Sequence, residues 1–132
     1  MIPVLWYRWL YASTLGVMLF GISMVLAPDL IRQFFSLLIY ASPSAIERGF
    51  GPAANDYIQL VHAVLGAVMF GWGVAMLIAL CGPFRRRERE GWWLIAVPVT
   101  AWFVPDTVFS LYSGFWQNAV LNTVFAALFA IP

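Results

Sequence analysis

Five side chains stand out as able to do chemistry in an otherwise apolar chain: His62, Asp106, Ser110, Asn118 and Asn122. His62 is the only histidine, and a neutral imidazole offers one donor and one acceptor nitrogen to a ligand, a proton or a partner. Asp106, Ser110 and Ser113 stand at i, i+4 and i+7, which places them on one side of a helix. Asn118 and Asn122 repeat at i+4 and continue as a stripe through Ala126 and Ala130. The short Ser113-Gly114 turn between the two stripes makes their helices antiparallel neighbours. A hydrogen-bonded seam from Asp106 to Asn118 and Asn122 is therefore expected.

The elements that must position these groups are apolar. Of 132 residues, 63% are hydrophobic and 10% are charged, whereas soluble domains carry about 25% charged residues. This is the composition of a membrane protein, and the length suits one domain. The net charge of +1 comes from seven arginines, no lysine and six acids, which is too weak to point to nucleic acid. The single cysteine, Cys81, excludes an internal disulfide and a cysteine-based metal cluster. No short cleavable leader is expected, because Met1–Leu5 lack a basic start and the following apolar run is too long.

Four spans are expected, at about residues 5–27, 57–81, 92–112 and 115–131, the last short for a crossing. An outer loop, 28–56, holds an amphipathic helix, DLIRQFFSLLIYA, too short to span and expected in the interface. Asn55 or Asp56 is expected to cap the second span. That span runs 25 residues beyond Asp56 without a formally charged residue. Along it Ala63, Ala67, Gly71, Ala75 and Ala79 recur every four residues, and small residues let membrane helices approach closely. The loop 82–91 carries Arg85, Arg86, Arg87 and Arg89, which should lie in the cytoplasm or meet anionic lipid head groups. Alternation then puts both termini in the cytoplasm, with five arginines inside against two outside.

In that topology His62 lies roughly 9 Å inside the outer end of its span. Asp106, Asn118 and Asn122 fall at similar depth. Ionisable groups inside spans are functional candidates, and Pro105 frees a carbonyl near Ala101, a place where a span kinks and lines a cavity. Three readings stand for the cluster. One is polar glue fixing helix register. A second is an outer-leaflet site around His62 and Asp106 for a lipid or quinone. A third is axial ligation of a tetrapyrrole by His62. The sequence has no nucleophile elbow, no H-E-x-x-H, no phosphate loop and no cysteine pair. No catalytic residue and no metal site is therefore assigned.

The first span closes in L-x-P with a short amphipathic helix behind it, Leu26–Phe35. The second span is rich in Gly and Ala. The third ends in D-T-x-x-S before S-G, and the fourth bears asparagines. In these features the chain resembles the DoxX-like and related small four-helix bacterial membrane families. The resemblance implies an all-α four-helix membrane bundle with an extra interfacial helix, in a bacterial cytoplasmic membrane. The leading expectation is a non-catalytic subunit, packed as a homo-oligomer or in a larger membrane complex. The alternative is a binder of a lipid, quinone or tetrapyrrole, and the third is an enzyme on a lipid-soluble substrate.

Overall fold

The structure, a computed structural model, describes residues 3–132. Met1 and Ile2, which open the stretch read for a leader, lie outside the described residues. The protein is all-helical, 87% helix, with no strand among the described residues. Its order is α1 (Val4–Leu26), α2 (Pro28–Tyr40), α3 (Ala45–Gly49), α4 (Pro52–Ala79), a π-helical turn (Leu80–Phe84), α5 (Arg89–Tyr112) and α6 (Trp116–Ala130). Among the described residues, three helical stretches are long and apolar enough to cross a membrane: Val4–Leu26, Pro52–Phe84 and Arg89–Tyr112. They expose large apolar side chains such as Leu19, Val68 and Val108, each more than 60% accessible. Lipid suits such surfaces and water does not. The helix α6 has 15 residues, about 22 Å of rise against a hydrocarbon core of about 30 Å.

The chain divides into two compact units, Met1–Gly16 with Gly73–Pro132, and Val17–Trp72. In the second unit, α1 and α4 meet at glycine. A Cβ on Gly21 would lie 2.7 Å from the Gly66 carbonyl oxygen, and one on Gly66 would strike the Gly21 carbonyl and Met24. Only hydrogen fits at that crossing. The helix α2 begins with Pro28 in its first turn, where its missing N–H costs nothing, and Asp29 complements the positive helix end. Ala41 closes α2 in the left-handed region, φ 55°, with its amide donating to the Leu37 carbonyl at 2.9 Å. The fully buried Ser36 hydroxyl donates to the Ser42 carbonyl at 2.6 Å and accepts from the Ile46 amide at 3.1 Å, tying α2 to α3. Arg32, its side chain only 11% exposed, bridges Asp29 at 3.2 Å and Glu47 at 3.6 Å. Glu47 thus pairs with α2 rather than with its neighbour Arg48, whose guanidinium donates to the Ser42 hydroxyl.

Asn55 is not a cap. Pro52 opens α4 one turn earlier than the capping signal suggested, because a proline at the first helical position is pre-set for helix. From inside that first turn the Asn55 amide donates to the carbonyls of Phe50 at 2.8 Å, Gly51 at 3.2 Å and Glu47 at 3.3 Å. It fastens α4 to the end of α3.

The first unit is built on α5 and α6, joined by the turn at Ser113-Gly114. At the other end of α5, Gly91 abuts the backbone of Phe84, so closely that no side chain fits. The π turn lies there because Pro83 has no N–H to continue the ladder and Gly82 leaves helical backbone angles, φ −98° and ψ −109°. The Trp9 indole donates to the Leu128 carbonyl at 2.8 Å and holds α1 to α6.

Candidate functional site

The small residues on α4 follow a path set by helix geometry. Residues four apart drift about 40° around an α-helix at each step. The i+4 series therefore winds about the helix rather than lining one face. Ala63 is half-buried, Ala67, Gly71 and Ala75 are exposed, and Ala79 is buried. A Cβ on Gly71 would meet no atom within 4 Å. The close crossing inside the chain uses Gly66, one residue off the series. Periodicity could show that small residues recur, but not which of them the chain itself covers.

On α5, three donors converge on the Asp106 carboxyl. The Trp102 indole donates to Oδ2 at 3.1 Å, and the Ser110 hydroxyl donates to Oδ1 at 3.3 Å. From α6 the Asn118 amide donates to Asp106 Oδ1 at 3.0 Å and to the Ser110 Oγ at 2.8 Å. Ser110 is 4% exposed. The spacing that puts Asp106, Ser110 and Asn118 within reach is the one in the sequence: one helical turn on α5, then a tight turn into an antiparallel neighbour. Asn122 does not join them. It is buried, and its amide faces the Thr107 hydroxyl at a long 3.5 Å. Thr107 follows Asp106 and so points about 100° away from it. Trp102, one turn before Asp106, is the member of the seam that spacing alone did not single out. An indole N–H at i−4 from a carboxylate was the available signal.

His62 belongs to the other unit. Its ring stacks on Phe35 of α2, with centroids 4.8 Å apart and planes 17° from parallel. Its buried Nδ1 has no hydrogen-bond partner among the described residues. Within its own unit His62 has an aromatic ring beside it, and within its own unit Asp106 has three hydrogen-bond donors.

A cavity of about 730 Å³ lies in the first unit, at the arginine-bearing end of α5. Trp6 and Leu10 of α1, Trp92, Ile95 and Val99 of α5 and Phe129 of α6 supply apolar wall, and Arg87, Glu88 and Arg89 also line it. Glu88 is already engaged: the Arg86 guanidinium donates to both of its oxygens, at 2.6 and 3.2 Å. That charged bond holds the Glu88 carboxyl below its ordinary value and the Arg86 guanidinium above its own. Arg85, Arg87 and Arg89 have no ion-pair partner among the described residues. The lining comes from three separate stretches of chain, so no local spacing announced it.

Among the described residues no three His, Cys, Asp or Glu side chains are grouped to hold a metal ion. No family model, no curated protein and no solved structure matches the chain.

Proposed function

We propose that the protein is a non-catalytic membrane subunit that crosses the bilayer four times, through α1, α4, α5 and α6, with both termini cytoplasmic. It packs laterally through α4 against a second copy or a larger membrane complex. The observation that carries this reading is the exposed run Ala67, Gly71 and Ala75, with open space over Gly71. Helix association in lipid relies on such close approach, because burying apolar surface gains little when the solvent is itself apolar. The same helix already makes one approach of this kind at Gly66. The three hydrogen bonds to Asp106 support an architectural role for that carboxylate. A DoxX-like bundle of four spans accords with this reading.

Gly71→Leu fills only open space, so folding is expected to persist while association weakens by at least tenfold, about 1.4 kcal/mol. Fluorescence energy transfer between labelled copies, diluted progressively in a reconstituted bilayer, reads this directly. A wild-type protein that stays monomeric at every density and co-purifies with no other subunit would sink the proposal.

One observation favours a second reading. The buried Nδ1 of His62, without a hydrogen-bond partner among the described residues, is the group a quinone, a lipid head group or a tetrapyrrole metal would engage. In that reading His62 makes the contact and Phe35 backs its ring. The absorption spectrum and the co-purifying quinones and lipids of wild type against His62→Ala decide it. Equal content in both rejects it.

A further inference from the structure

The arginine-bearing cavity has two halves of opposite character. Along α5 it runs from Arg89 to Val99, ten residues or about 15 Å of rise. Ile95 and Val99 are each under a tenth exposed. Thr100, the polar residue beyond them, uses its hydroxyl on the Ala96 carbonyl at 2.8 Å. That end of the cavity therefore offers no free hydroxyl donor from Thr100. At the other end Glu88 is occupied by Arg86, while Arg87 and Arg89 carry positive charge with no ion-pair partner among the described residues. A guanidinium fork matches a phosphate or carboxylate. Trp6 and Trp92 stand in the wall, and indoles favour the level of lipid head groups. The volume falls within the range of about 300 to 1,000 Å³ that ligand sites occupy.

We propose that this cavity binds one anionic phospholipid, its phosphate on Arg87 and Arg89 and an acyl chain along Ile95 and Val99. Charge selects the head group and the apolar wall selects a tailed molecule over a free anion. The site does not depend on lateral packing through α4, since its lining comes from one unit of one chain.

Native mass spectrometry of the full chain, in detergent supplemented with equal phosphatidylglycerol and phosphatidylcholine of matched chains, tests it. Wild type should retain one phosphatidylglycerol in preference to phosphatidylcholine. Each arginine near a membrane surface contributes about 1 kcal/mol toward anionic lipid, or about fivefold. Arg87→Gln with Arg89→Gln should therefore lower phosphatidylglycerol retention about 25-fold and leave phosphatidylcholine unchanged. Arg48→Gln, which removes a charge elsewhere, should change neither. Ala96→Phe, filling the wall, should lower retention while the unfolding midpoint shows the fold intact. Equal retention of the two lipids, an unaltered preference in the double variant, or an equal loss in Arg48→Gln would overturn the proposal. So would displacement of the lipid by millimolar inorganic phosphate, which would make the site one for a free anion.

Discussion

The two ends of α5 treat polar groups in opposite ways. Toward Tyr112, the Asp106 carboxyl accepts from Trp102, Ser110 and Asn118, and Ser110 and Asn118 are also bonded to each other. Toward Arg89, Arg87 and Arg89 line a cavity with no ion-pair partner among the described residues, and Glu88 beside them is held by Arg86. The first arrangement is closed on itself, as a polar group inside hydrocarbon requires, whereas the second stands at the exposed start of α5 and is open. A closed set of hydrogen bonds is architecture. An open set of charges beside an apolar cavity is an invitation to a ligand. The contrast supports the proposed architectural role of Asp106 and shifts attention to the arginine run.

Three substitutions sharpen or break this contrast. The largest effect should come from Gly91→Val, which drives a side chain into the Phe84 backbone and pries apart the arginine end while leaving the Asp106 seam untouched. Overpacking of this kind costs about 1–3 kcal/mol or more, visible as a lowered unfolding midpoint in detergent together with lost lipid retention. Asp106→Ala comes next. It strands the donors of Trp102, Ser110 and Asn118, at about 1–2 kcal/mol for hydrogen bonds inside a bundle. Unfolding in a denaturing detergent measures it, and lipid retention at the arginine end should not move. A neutral result would mean that the seam is not architectural.

The smallest effect concerns Glu88. Its folded-state carboxyl is depressed below the ordinary 4.5 by the Arg86 hydrogen bond. Its stabilisation is therefore present above that value and is lost as pH falls through the folded one. The Glu88 hydrogen bond raises the Arg86 guanidinium further, so its share persists across the neutral range. Both side chains are exposed, so the gain is small. The unfolding midpoint of Glu88→Gln should sit slightly below wild type at pH 7, and the gap should close as pH falls through the depressed Glu88 value.

Much of the frame was legible because long apolar runs have one physical outcome. The stretches behind α1, α4 and α5 exceed what a bilayer requires, and the L-x-P after α1 marks where α2 begins. The meeting of Asp106, Ser110 and Asn118 was legible too, because a one-turn spacing and a two-residue turn leave little freedom. Other features were hidden for reasons that are equally physical. Asn55 carries a strong local capping preference, yet Pro52 fixes the backbone three residues earlier and wins. The i+4 series on α4 looks like one face on paper and winds around the helix in space. The Gly21–Gly66 crossing joins two positions 45 residues apart, and neither lies in a motif. The 15-residue α6 is as short as its sequence implied. The cavity is the extreme case, since three helices and a loop each contribute a few unremarkable residues to it.

The chain's single thiol, on Cys81, is exposed just before the arginine run. With no other sulfhydryl to compete, it is a built-in reporter of sidedness. A membrane-impermeant maleimide applied to sealed vesicles of known polarity reads which compartment the loop occupies, with no engineered tag.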